Sequence, residues 1–115
     1  MSRPVVGIYA TAVPASWGPW HDRPSVVAPA ALGAAVQQAG GLVVLLAPDP
    51  DLDYDELLGT LDALIVFDDA EHLDALRDAA RQAGLTVRVL DRARLAPDAP
   101  AADYAREIAG LLDAA

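Results

Sequence analysis

The chain has 115 residues, 17 acidic against eight basic for a formal charge of -9, all eight of the basic ones arginine, and no cysteine. That length builds a single domain around one layered core, and the charge repels phosphate backbones and anionic lipid, which argues against nucleic acid and membrane surfaces as partners. Without cysteine there are no disulfides, thiolate metal sites or thiol nucleophile, and without lysine there is neither Schiff-base chemistry nor a phosphate-loop lysine.

Pro4 to Tyr9 reads as a first strand, with Gly7 suggesting close approach by another backbone. The N-terminus enters this strand without a signal-peptide pattern, and no apolar run approaches the ~20 residues that span a bilayer, so a soluble cytoplasmic protein is expected. Thr11 to Pro29 reads as a long loop with four prolines, Trp17, Trp20 and His21. Connections of that length are functional or poorly ordered, and two tryptophans, each needing a partner surface, favour order. Ala30 to Ala39 is the first helix, with Leu32, Ala35, Val36 and Ala39 inward and Gly40 and Gly41 as its stop. Leu42 to Leu46 is a second buried strand. Asp53 then caps a short helix, with Glu56 completing a capping box and Leu57, Leu58 and Leu61 on the apolar side.

Ala63 to Phe67 is an almost wholly apolar run bounded by acids, the pattern of a central strand covered on both faces. Asp68 or Asp69 opens the next helix, with Leu73, Leu76, Ala80 and Ala83 inward and Gly84 as its stop. Thr86 to Leu90 is the fourth strand, Arg94 to Pro100 a loop, and Ala101 to Asp113 a last helix carrying Tyr104, Ile108, Leu111 and Leu112. Four βα units call for an α/β fold with a flavodoxin-like three-layer parallel sheet. Strand order 2-1-3-4 puts the first and last helices on one face and the middle two on the other. The fourth strand becomes an edge, where Arg88 discourages further pairing. Its C-terminal tips carry Asp68, Asp69 and Asp91, on the side where such sheets place their chemistry.

Arg3-Pro-Val-Val-Gly-Ile, Trp17-Gly-Pro-Trp20, Ala39-Gly-Gly-Leu-Val-Val-Leu-Leu46 and Leu61-Asp-Ala-Leu-Ile-Val66 occur in an order and spacing that resembles the N-terminal half of class I glutamine amidotransferases. The likeness is to their γ-glutamyl hydrolase branch, the peptidase C26 or γ-glutamyl-γ-aminobutyrate hydrolase type. It covers about residues 3 to 93, and the chain ends before the half that supplies the family's catalytic His and Glu. The family's oxyanion-hole Gly-Gly segment corresponds to Asp68 and Asp69. Its Gly-Ile-Cys-Arg-Gly nucleophile elbow corresponds to Val89, Leu90, Asp91, Arg92 and Ala93. An aspartate is a far poorer nucleophile toward an amide than a thiolate, β-carbons obstruct the elbow, and carboxylates repel an oxyanion. The resemblance therefore implies a pseudoenzyme without catalytic residues or cofactor.

Asp68, Asp69, Glu71, His72 and Asp91 could gather as an oxygen-rich cation site. The simpler reading has Asp68 or Asp69 and Glu71 capping a helix and Asp91 pairing with Arg92 or Arg94, with no metal. His21 and His72 have no nucleophile that the sequence places beside them, and Ser16 and Ser25 lack a Gly-x-Ser-x-Gly context. Trp17 and Trp20 fit anchors that pin the loop to the body or to a neighbour. The binding candidates are thus Trp17, Trp20, His21, Asp68, Asp69, Asp91 and Arg92. Three functions stand. One is a non-catalytic module that forms a homodimer or joins a full-length amidotransferase homologue or a γ-glutamyl ligase. Another is a domain binding a small amine or γ-glutamyl compound between Thr11 to Val26 and the Asp68 and Asp91 tips. The third is an enzyme of altered carboxylate chemistry. For the dimer, a two-fold contact is expected through the small residues Ala30, Ala31, Gly33, Ala34 and Ala35 and the nearby tryptophans, beside an uncovered fourth strand.

Overall fold

A strand buried on both faces has to lie between two layers of helix, and Ala63–Phe67 is buried at every position. A computed structural model describes residues 3–48 and 54–113 of the chain. Its strands are β1 Val5–Tyr9, β2 Thr11–Trp17, β3 Trp20–Val27, β4 Leu42–Leu46, β5 Ala63–Phe67 and β6 Thr86–Leu90. Its helices are α1 Ala30–Gln38, α2 Tyr54–Leu58, α3 Leu73–Gln82 and α4 Ala101–Glu107. The main sheet is four-stranded and parallel, in the order β4-β1-β5-β6. This is the predicted α/β, flavodoxin-like arrangement, and the labels shift only because β2 and β3 intervene.

The period of two along β5 divides the interior. Ala63, Ile65 and Phe67 join Leu32, Ala35 and Val36 of α1 and Tyr104, Ile108 and Leu111 from α4 and the turns after it. Leu64 and Val66 face the other way, onto Leu58 and Leu61 at the end of α2 and Leu76 and Ala80 of α3. Each fully buried Leu, Ile or Val contributes roughly 1.5–3 kcal/mol relative to exposure. Gly40 and Gly84 end α1 and α3 in the left-handed region, as expected. No described helix is long and apolar enough to cross a membrane.

Several expectations need correction. Thr11 to Val27 is an antiparallel hairpin, not a loop, with Thr11 opposite Val27 and Trp17 opposite Trp20. Gly18 takes φ +55°, and the ring of Pro19 holds φ at about -65°, the pairing that suits a two-residue hairpin turn. Pro14 lies opposite Pro24. Neither can donate, so both fit a pair whose amides point away from the partner strand, and prolines are tolerated there.

Leu42–Leu46 is not a buried strand. It forms the outer edge, with Leu42, Val44 and Leu45 exposed and only Leu46 buried. At Gly7 the crowding comes from side chains: a β-carbon would lie 2.7 Å from Leu61 Cδ1 and 3.2 Å from Leu46 Cδ1. Ala39 and Ala83 are exposed, because each sits past the last full turn of its helix. The last helix stops at Glu107 and continues to Asp113 as turns, while Ile108 and Leu111 stay buried. Arg88 does not simply guard an open edge. It donates to the carbonyls of Glu107 at 2.7 Å and Ala109 at 3.2 Å, tying the end of α4 to β6. The Asp53 cap lies outside the described residues.

Candidate functional site

The tips of β5 and β6 lie side by side because Phe67 is in register with Leu90, and the Asp68 amide donates to the Leu90 carbonyl at 2.9 Å. The acids that follow are thereby brought together, and each has a partner within the fold. Asp68 Oδ1 accepts the backbone N–H of Arg92 at 3.1 Å. Asp69 Oδ2 accepts Arg92 Nε at 2.7 Å. The Arg92 guanidinium also lies over the Phe67 ring, 4.0 Å from its centroid, a favourable placement for a cation. Asp91 Oδ1 accepts from Ala93 N–H at 2.9 Å and caps the 3-10 turn Arg92–Arg94.

These contacts correct two expectations. Neither Asp68 nor Asp69 caps α3: His72 stands at the N-cap in the left-handed conformation, φ +60°, with no side-chain cap bond. The chain makes a turn at Asp68 and Asp69 before the helix begins, which leaves both carboxylates free to meet Arg92. Asp91 pairs with neither Arg92 nor Arg94, whose side chains reach Asp69 and Glu107 respectively. The Glu71 carboxylate lies 4.0 Å from His72 Nε2 rather than in a capping box. Among the described residues no three His, Asp or Glu side chains are grouped as a metal ion would require.

The hairpin supplies the second candidate surface. Trp17 and Trp20 flank the turn and meet edge to face, centroids 4.9 Å apart at 87°. They remain 49% and 47% exposed. Arg23 adds its guanidinium 5.7 Å from the Trp20 ring. The register shifts between Ala15 and Trp17, and Asp22 takes φ +51° while its N–H donates to Ser16 Oγ. That irregularity brings Arg23 onto the face of Trp20. Sequence reasoning missed Arg23 because the bulge that places it was invisible there; the Gly18-Pro19 pair between two aromatic residues was the signal for the hairpin itself. His21 is exposed on β3, away from the strand tips, and Ser25 Oγ donates to the Arg23 carbonyl at 2.8 Å.

Between hairpin base and strand tips lies a crevice of about 110 Å³ lined by Ala10, Thr11, Ala12, Pro48, Asp69, Ala70 and Glu71. The small-ligand reading expected Asp68 and Asp91 on its wall; the carboxylates found there are Asp69 and Glu71. It is smaller than the ~300 Å³ at the low end of ordinary ligand pockets. A larger, open cleft of about 260 Å³ separates α1 from the end of α4, lined mainly by Ala35, Ala39, Ala105, Ile108 and Leu112. No family model, curated protein or solved structure matches this chain.

Proposed function

We propose that this chain is a non-catalytic domain, similar to glutamine amidotransferase and γ-glutamyl hydrolase domains, that works by binding another protein chain. The observation that carries this reading is the use of Asp91. At the position where the resemblance puts the nucleophile, its carboxylate caps the 3-10 turn through Ala93 N–H. Its neighbours support the same view, since Asp68 and Asp69 both hold Arg92 and present acid where an oxyanion would need donors. Among the binding candidates, Trp17, Trp20 and His21 are exposed on the hairpin, outside this network of strand-tip contacts. Aromatic and arginine side chains of this kind anchor protein contacts.

The test is an assay of the purified protein on glutamine and on γ-glutamyl-p-nitroanilide. No ammonia or p-nitroaniline release above buffer is expected, either for the native chain or for Asp91→Cys, which restores a thiol without the elbow or a general base. Turnover by the native chain that is lost in Asp91→Ala would overturn the reading. A second reading, capture of a small amine, is favoured by Glu71 on the crevice wall. A melting shift with millimolar putrescine that disappears in Glu71→Gln would support it over the first.

A further inference from the structure

We propose that two copies of this chain join edge to edge through β4, antiparallel about a two-fold axis beside Val44, so that their main sheets become one continuous sheet. Such a pairing rests on the binding reading above and gives it a partner and a surface. Backbone orientation sets the register. The Leu42 N–H donates to the Pro4 carbonyl at 2.8 Å, and the Leu46 carbonyl accepts from Ala10 N–H at 2.9 Å. Leu42, Val44 and Leu46 therefore turn their backbone groups toward β1, and strand alternation turns those of Val43 and Leu45 outward. Val44 lies midway between them. A two-fold axis there sets Val43 opposite the partner's Leu45, a pair that exchanges N–H···O bonds in both directions, and leaves Val44 facing the partner's Val44 without hydrogen bonds.

The strand is built without the devices that block edges. β4 reads Leu-Val-Val-Leu-Leu, with no charge, proline or bulge, and Leu42, Val44 and Leu45 are 43%, 40% and 51% exposed. The other described edges all carry such devices: Arg88 and the end of α4 at β6, and Pro14 and Pro24 on the hairpin. Charge favours the antiparallel sense. Arg3 is fixed at the start of β4 by donating to the carbonyls of Gly40 and Gly41. Antiparallel pairing keeps the two Arg3 guanidinium groups at opposite ends of the seam, whereas parallel pairing would set them side by side. Both β4 edges are used up, so assembly closes at two copies even though each carries a charge of -9.

Because the chain has no cysteine, one introduced thiol reads the register directly. Residues facing each other in a non-hydrogen-bonded pair have Cα atoms about 4.5 Å apart, within reach of a disulfide. Mild oxidation of Val44→Cys should give a covalent dimer that reduction reverses, and Leu42→Cys, which faces the partner's Leu46, should give several-fold less. Light scattering should report about twice 12.0 kDa for the native chain at micromolar concentration. Val44→Lys and Val44→Glu should each be folded monomers by circular dichroism and associate when mixed. A monomeric native chain would overturn the pairing, as would a dimer in which Val44→Cys cross-links no better than Leu42→Cys and Val44→Lys stays dimeric. Neither outcome bears on the hydrolysis assay, so failure of the interface and failure of the non-catalytic reading are told apart.

Discussion

Arg92 is the residue on which the two strand tips close. Its backbone N–H is held by Asp68, its Nε by Asp69, and its guanidinium rests on Phe67. The ion pair is part exposed, and such pairs contribute about 0.2–1 kcal/mol; the aromatic contact adds about 0.5–1 kcal/mol. Arg92→Ala should therefore lower the unfolding free energy by about 1 kcal/mol, read as a lower urea midpoint at unchanged slope. Arg92→Lys should recover only part of this, because a point charge cannot meet carboxylate and ring as a planar fork does. The same engagement leaves Asp69 poorly placed for a cation. Millimolar Mg²⁺ or Mn²⁺ should leave the melting temperature unchanged, and a shift of several degrees abolished by Asp69→Asn would show that the cation displaces Arg92.

At the scale of elements, the hairpin stands apart from both cores, since no residue of β2 or β3 belongs to either buried cluster. Its base is closed by Thr11 opposite Val27, so the flanking chain ends lie about 5–6 Å apart, close enough for a short linker. Replacing residues 11–27 by a few glycine and serine residues should leave the helical circular dichroism intact and move the melting temperature by only a few degrees. A collapse of the fold would show that the hairpin covers more of the body than its burial indicates. Arg88→Ala should act differently. It removes two charge-assisted bonds from the carbonyls that end α4, and should cost about 1.5–3 kcal/mol, with faster amide exchange confined to the C-terminal turns.

For the molecule as a whole, a single sheet separates two cores that share β5. Ile65 has no exposed surface and packs between α1 and α4. Ile65→Ala should destabilise by about 2–5 kcal/mol through lost burial and the cavity left behind. Because β5 also anchors Leu64 and Val66 in the opposite core, unfolding should remain one transition by far-ultraviolet circular dichroism, with equal calorimetric and van't Hoff enthalpies. The charge of -9 acts on the same scale. Raising ionic strength from about 0.01 M to about 0.15 M should raise the melting temperature by screening self-repulsion.

The sequence by itself determined the layers of this protein. Apolar periodicity marked β1, β4, β5 and β6 and the inward faces of α1 and α3, and the alternation of helices with strands fixed the parallel order, because right-handed crossovers leave few ways to cover a sheet on both faces. It also marked Asp68, Asp69 and Asp91 as neighbours, since they follow strands whose tips share one edge. What they do there was decided only in three dimensions. Which carboxylate meets which arginine depends on a turn before α3 and a 3-10 turn after β6, features a few residues long that leave no periodic trace. The hairpin was hidden for a related reason. Pro14 and Pro24 count against a strand in any local reading, and are tolerated only because they face each other where neither amide is needed. Exposure of β4 was likewise undecided in sequence, since Leu-Val-Val-Leu-Leu reads alike whether its strand lies inside a sheet or at its edge.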